Sequence, residues 1–406
     1  MAGEATRGPI TADEVEQLRR DTPGCPNVIH LNNAGSALPP AIVTDTQVEH
    51  LRLEERIGGY EAHDRAMERI GAVSASIAAL VDCRPDQVAL VESATAAWSR
   101  GFAAIQFSRP IRSGQRILVS SAEYASNVIP AMQLARHTGA RVEFIPDAAD
   151  GTLDVAAFST MLDDDVAVVA VNHCPSQNGL INDVAAVGAV LRDRGSAAWY
   201  VVDACQSVGQ LPVSAREIGA DVLTATGRKF LRGPRGTGFL VVSDRALAEL
   251  EPFPLDLKSA TWESDGYVMR PSAERFESWE KSYAALLGMG AAIDYALGIG
   301  IDRIAERIQG LAEEARTGLA AVPGVTVRDR GRHRSGIVTI THDRMPAPDL
   351  AAALAAAGIN VSLSTPDYSR VDFDRQGISG LVRISPHVYN RSDDVARLVD
   401  TVAGLG

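Results

Sequence analysis

From Gln87 to Val242 the chain alternates short, β-branched apolar runs with longer helical patterns, and this alternation constrains the fold more than any other feature. The runs are Gln87–Val91, Gln115–Ser120, Arg141–Ile145, Val166–Val171, Ala198–Val202, Val222–Thr224 and Gly238–Val242. Between them the pattern predicts helices at Thr95–Ile105, Ser126–Thr138 and Asp183–Arg194, with a short helical turn near Val213–Ile218. Strands spaced by helices of this length imply an α/β fold, a mostly parallel seven-stranded sheet sandwiched by helices. In such sheets ligands collect at the carboxyl ends of the strands.

After Pro271 the pattern changes. Long alanine-rich helices are expected at Ser282–Leu297 and Ile301–Ala321. Strands follow near Val325–Arg328, Gly336–Thr341, Asn360–Leu363 and Leu381–Ile384, with helices at Ala347–Ala357 and Ser392–Ala403. A chain of 406 residues has room for more than one domain. The expected division is an N-terminal arm over 1–30 that joins the small domain, a large domain over 31–285 and a smaller C-terminal α/β domain over 286–406.

The net charge of -12 argues against a bulk attraction to nucleic acid or to an anionic membrane. Cys25, Cys83, Cys174 and Cys205 lack CxxC spacing, so neither a metal site nor a disulfide framework is expected. Met1–Pro9 has no apolar signal core, and no apolar run reaches membrane-spanning length, which makes the cytoplasm the expected compartment.

Of the 39 Lys+Arg residues, only Lys229, Lys258 and Lys281 are lysines, so few positions can supply a reactive primary amine. A desolvated lysine amine can form a Schiff base, whereas a guanidinium stays protonated. Lys229 lies just past one predicted strand, and the preceding strand ends in Asp203-Ala204-Cys205-Gln206. An acid at one strand end and a lysine beyond the next is the pattern expected of a pyridoxal 5'-phosphate site. Asp203 alone reads more readily as a helix cap. With Lys229 and Gln206 at fitting spacings, it reads better as the carboxylate facing a pyridine nitrogen, with Gln206 near the ring oxygen.

Other candidates lie at neighbouring strand ends. Ala94 and Thr95 open a helix, where free N–H groups seat a phosphate, although a Thr there is also an ordinary cap. Thr226 adds a hydroxyl three residues before Lys229. Tyr124 follows a strand and either stacks on a flat ring or packs in the core. Arg383 is a charge inside an apolar strand, so it needs either a substrate carboxylate or an internal Asp or Glu. His173 and His387 are open to the same two readings, site or core. Ser362, Ser364, Tyr368 and Trp279 are the candidates for side-chain selectivity.

Taken in order, these segments resemble the class V aminotransferase family, fold-type I pyridoxal phosphate enzymes that include cysteine desulfurases, selenocysteine lyases and isopenicillin N epimerase-like proteins. The resemblance runs from His30-Leu31-Asn32-Asn33-Ala34-Gly35 to the Arg383 segment. It implies a Schiff base at Lys229, a salt bridge from Asp203 to the ring nitrogen, and phosphate contacts from Ala94, Thr95 and Thr226. It also implies substrate contacts from Asn33, Ala34, Ser176 and Arg383, and a homodimer with the active site at the interface.

Departures from the family pattern bear on function. Tyr124 stands where a stacked histidine is common, and Arg228 replaces the usual histidine before the lysine, where it could hold the phosphate or depress the amine pKa. The partner-reaching Gly-Thr pair is absent from Arg275-Phe276-Glu277-Ser278-Trp279-Glu280, so Trp279 is expected to line the pocket instead. Cysteine desulfurases carry a nucleophilic cysteine ahead of the C-terminal arginine, and here no cysteine follows Cys205. The expected activity is therefore a carbon-sulfur β-lyase acting on a cysteine conjugate without a persulfide. Transamination, epimerisation, decarboxylation-dependent oxidative deamination and a catalytically silent binding protein are the alternatives.

Overall fold

The computed structural model describes residues 8–405. Each of the seven predicted runs is a strand: β1 (Val88–Val91), β2 (Arg116–Val119), β3 (Arg141–Phe144), β4 (Val166–Asn172), β5 (Trp199–Asp203), β6 (Val222–Thr226) and β7 (Gly238–Val242). They form one sheet in the order β1-β7-β6-β5-β4-β2-β3. β7 runs antiparallel to both β1 and β6, and the remaining pairs are parallel. Side chains alternate between the two faces of a strand. Val169, Val202 and Leu223 thus enter one core with Ile77, Leu286 and Met289, while Val168, Val201 and Val222 enter the other with Trp98, Phe102 and Ile105. Each such side chain contributes about 1.5–3 kcal/mol on burial.

The helices that bear on the site's surroundings are α1 (Ala41–Ile57), α2 (Gly59–Val81), α3 (Ala94–Ser108), α4 (Ala125–Thr138), α5 (Val184–Asp193), α6 (Tyr283–Ile299) and α7 (Ile301–Ala320), with others before, between and after them. The sequence reading left α1 and α2 unassigned. In α1 the buried Val43, Thr46 and His50 follow a three-to-four-residue spacing, but polar Thr46 and His50 mask the apolar stripe. Gly58, at φ 98°, breaks the two helices apart.

The small domain has the antiparallel sheet β8 (Val325–Val327), β9 (Val338–His342), β10 (Ser362–Ser364) and β11 (Leu381–Ile384), in the order β8-β9-β11-β10. A boundary at 285/286 cuts α6. Leu286, Met289 and Ile293 of that helix pack in the core of the large sheet, so the division belongs after Gly300, where φ is 100° and the chain turns into α7. The arm reaches the small domain through Ile29–His30, which pairs in parallel with Ile359–Asn360, and through Glu14–Arg303 at 2.7 Å and Arg19–Asp394 at 3.3 Å. Among the described residues no single helix is long and apolar enough to cross a membrane.

Candidate active site

A cavity of about 260 Å³ opens at the carboxyl ends of β5 and β6, beneath the small domain. Asp203 ends β5 and is 8 % exposed. Its Oδ1 accepts the Cys205 N–H and its Oδ2 accepts the Asn127 amide, both at 2.8 Å. Those bonds fix the carboxylate while leaving acceptor capacity for a group in the cavity.

Lys229 lies in the turn after β6, with its Nζ 6.0 Å from the centre of the Tyr124 ring. Its amine differs from those of the other lysines in having no hydrogen bond or ion pair among the described residues, whereas the Lys258 amine pairs with Glu274 at 3.0 Å and the Lys281 amine with Glu277. Burial depresses its amine pKa, and the Arg228 and Arg383 guanidinium groups add to the effect. Gly209 sets the approach of the Gln206 turn to this segment. Its φ is 91°, and a Cβ there would meet the Phe230 carbonyl carbon at 2.6 Å and the Leu231 nitrogen at 2.7 Å.

The wall near β1 is the start of α3. Ser93 is the N-cap, accepting the Ala96 N–H at 3.1 Å, so Thr95 is not the capping residue. Gly238 opens β7 close to this turn, where a Cβ would lie 2.7 Å from the Ser93 carbonyl carbon and 3.0 Å from the Ala94 nitrogen. Thr226 donates its hydroxyl to the Thr237 carbonyl at 3.1 Å and lines the cavity with Ala94 and Thr95. Opposite, the Tyr124 ring stacks on Tyr368 at 6.2 Å.

Arg383, on β11, closes the small-domain side. It is 7 % exposed and donates to the Ser176 carbonyl at 3.0 Å and to Asn32 Oδ1 at 3.4 Å. Neither partner is a carboxylate, and its Nε has no partner among the described residues. Burial pushes its pKa down to about 10. Among the described residues, the internal ion pair left open by the sequence is therefore not formed.

Most predicted site residues converge on this cavity: Ala34, Ala94, Thr95, Tyr124, Ser176, Asp203, Gln206, Thr226, Arg228, Lys229 and Arg383 all line it. Ser362, Ser364 and Tyr368 line it as well. Two do not. Trp279 lies outside the cavity walls of this chain at 49 % exposure, and its backbone N–H donates to Asp256 at 2.8 Å. Asn33 is fully buried behind the cavity, where its amide donates to the Ser385 carbonyl at 2.7 Å and accepts the Tyr389 hydroxyl. His387 is a buried core residue, and His173 is half-buried, lining a separate pocket with Asn182 and Asp183.

The Gln206 amide also departs from expectation. Its Nε2 donates to the Ala34 carbonyl at 3.1 Å and to Ser176 Oγ at 3.2 Å, which leaves the Ser176 hydroxyl proton for an acceptor in the cavity. The sequence reading missed Asn127 and Glu123, which buttress Asp203. Their signal was an acid and an amide four residues apart across a strand-to-helix turn.

The sequence profile of the family described as aminotransferase class-V matches residues 28–398. The chain belongs to the class-V aminotransferase family. A probable cysteine desulfurase of Methanothermobacter thermautotrophicus is 29% identical over 403 residues, covering 96% of this chain and 98% of that protein. The apo structure of a cysteine desulfurase from Thermococcus onnurineus superimposes with a TM-score of 0.89 at 25% identity, covering 99% of each chain. The cystine C-S lyase C-DES, in complex with its product cysteine persulfide, shares the fold with a TM-score of 0.83 at 20% identity, over 94% of this chain and 99% of that one. The chain is thus a fold-type I enzyme of a pyridoxal phosphate family.

The cavity suits that cofactor on its own evidence. Gln206 Oε1, both amide atoms of Gln177 and Arg383 Nε are buried without partners among the described residues, and these side chains all line the cavity. Each such orphan costs about 1–3 kcal/mol until a polar ligand satisfies it. Asp203, the helix start at Ala94 and the unpaired Lys229 amine offer what a pyridine nitrogen, a phosphate and an aldehyde require.

Proposed function

We propose that the protein is a pyridoxal phosphate-dependent carbon-sulfur β-lyase that acts on an S-substituted cysteine. The observation that carries this reading is Arg383, a buried guanidinium without a carboxylate that lines the same cavity as Lys229 and Asp203. It matches a substrate α-carboxylate, which an arginine fork grips with two hydrogen bonds. Asp203 would hold the ring nitrogen, Lys229 the aldehyde carbon, and Ala94, Thr95, Thr226 and Arg228 the phosphate. When bound there, the cofactor supplies an electron sink for a carbanion at Cα.

The remaining work falls to side chains. Arg383 docks the carboxylate and so fixes Cα near the Lys229 amine. That amine, whose pKa burial lowers, takes the Cα proton. The Cβ–S bond then breaks with the sulfur leaving as thiolate, and with water the products are pyruvate, ammonia and a thiol. Tyr368, Ser362 and Ser364 face the leaving group's side of the cavity in this reading.

A desulfurase needs a thiolate that attacks the substrate sulfur. No cysteine follows Cys205, and Cys205 itself lies in the cavity wall with burial pushing its thiol up to about 12, so it is a poor nucleophile at neutral pH. The relatives named as desulfurases favour that chemistry, and the C-S lyase neighbour favours elimination. A homodimer accords with the large apolar side chains exposed on α1 and α2, among them Ile42, Val48, Leu51 and Met67.

Incubation of the cofactor-loaded protein with S-alkyl cysteines and cystine is the deciding experiment. Pyruvate with an equivalent of thiol or persulfide supports the lyase. A keto acid that retains sulfur, or carbon dioxide, overturns it in favour of transamination or decarboxylation.

A further inference from the structure

We propose that Glu123 is a positioning residue for Asp203: it holds the Asn127 amide that orients the Asp203 carboxylate, and it stands as the neutral acid of the pair so that Asp203 alone carries the charge. The role of Asp203 toward the ring nitrogen rests on the function proposed above.

Glu123 lies between β2 and α4 and is 2 % exposed. Its Oε1 accepts the Asn127 amide at 2.9 Å and the Tyr124 N–H at 3.1 Å, and its Oε2 lies 2.7 Å from Ser120 Oγ. The second hydrogen of the Asn127 amide goes to Asp203 Oδ2 at 2.8 Å. One amide group, itself 4 % exposed, therefore bridges two buried carboxyl groups from different elements. Ser120 Oγ also accepts the Asn172 N–H at 3.3 Å, which ties β4 into the same network.

Two buried carboxylates across one amide cannot both ionise cheaply, and the surroundings decide which keeps the proton. No lysine, arginine or histidine pairs with Glu123 among the described residues, and the charged group that faces it is Asp203 on β5. Asp203 by contrast takes two N–H donors and shares the cavity with Lys229. Ser120 Oγ can accept a hydrogen bond as well as donate one, so a protonated Glu123 Oε2 donates to it and the contact is kept with its direction reversed. Burial, and then the Asp203 charge, push the Glu123 carboxyl up to about 7. The other titratable neighbours, the Tyr124 phenol and the Cys174 thiol beside Asp203, are pushed up by burial and stay neutral alongside it.

The consequence is a single negative charge behind the ring nitrogen at low pH and a second one as Glu123 ionises. Glu123→Gln freezes the first state, since its amide oxygen still accepts from Asn127 and Tyr124 and its amide nitrogen donates to Ser120. An infrared difference spectrum, wild type minus Glu123→Gln, should show a protonated carboxyl band at about pH 5.5 that fades as the pH rises through about 7. This is read without added cofactor, so it stands apart from the assignment of function.

In the cofactor-loaded protein, the visible absorbance of the wild type should carry an inflection in the same pH range that Glu123→Gln lacks. Cofactor affinity of Glu123→Gln should stay within about twofold of wild type, while Asn127→Ala weakens it roughly tenfold, the scale of one lost hydrogen bond to a charged group. A missing infrared band, or absorbance titrations that superimpose, overturns the proposal. If the wild type binds no cofactor but the infrared band titrates, the functional reading fails and the protonation of Glu123 stands.

Discussion

The Arg383 guanidinium donates to the Ser176 carbonyl at 3.0 Å, so a buried cation in the wall of the cavity is held by a neutral acceptor. A charge so placed is under-compensated, and an anionic substrate is what completes it. Replacing Arg383 with Ala should cost about 2–5 kcal/mol of transition-state binding, at least roughly thirtyfold in kcat/KM. Cofactor affinity should be unchanged. Arg383→Lys should recover only part of the loss, because an ammonium cannot grip a carboxylate with two parallel bonds. Steady-state kinetics alongside a cofactor titration checks both parts.

Arg228 adds to the lowering of the Lys229 pKa that burial begins. Burial, then the two guanidinium groups, lower the Lys229 pKa, so its amine is unprotonated at a pH where an exposed lysine would still be charged. Removing one cation relieves part of that effect. In Arg228→Gln, reductive alkylation of Lys229 in the cofactor-free protein should therefore begin at higher pH than in wild type. Peptide mapping across a pH series reads the midpoint, and an unshifted midpoint would separate Arg228 from the amine.

Gly209→Ala tests the contact that registers the Gln206 turn against the Lys229 segment. At φ 91°, with a Cβ 2.6 Å from backbone, alanine must displace one of the two segments. Destabilisation beyond about 1 kcal/mol is expected, together with slower cofactor incorporation. Thermal unfolding and the growth of visible absorbance on cofactor addition measure the two effects.

His387 and His173 make the fold acid-sensitive. Burial pushes their pKa values down, to about 3 and about 4, and nearby Arg232 lowers His387 further. In the folded state both stay neutral below pH ~6.5, while the unfolded chain binds the protons. Stability therefore falls as the pH drops through and below ~6.5, by up to about 1.4 kcal/mol per pH unit for each histidine. Unfolding midpoints between neutral pH and the lower pKa values should show a smaller slope in His387→Gln, which can still donate to the Phe230 carbonyl and accept the Val388 N–H.

Much of the large domain was legible in sequence because its strands are buried on both faces and so read as unbroken β-branched runs, as Val166–Asn172 does. The α1–α2 pair was not legible, since buried polar residues such as Thr46 and His50 interrupt the periodicity that marks a helix face. Trp279 misled for a different reason. It stands where the family's Gly-Thr pair is absent, yet its ring is half-exposed and lies outside the cavity walls of this chain.

The candidate site divides along the same line. Lys229, Asp203 and Arg383 stand out in the sequence by type and position alone: a rare amine past a strand, an acid at a strand end, a charge within an apolar strand. Their meeting in one cavity depends on strand order and on the small domain's seat over the sheet, which local patterns do not encode. The bridge from Glu123 through Asn127 to Asp203 was likewise decided only by the tertiary structure. It joins Glu123 and Asn127, four residues apart in the turn before α4 and in α4 itself, to Asp203 on β5, 76 residues further along the chain, and it exists because a buried acid must find its partners wherever the fold brings them.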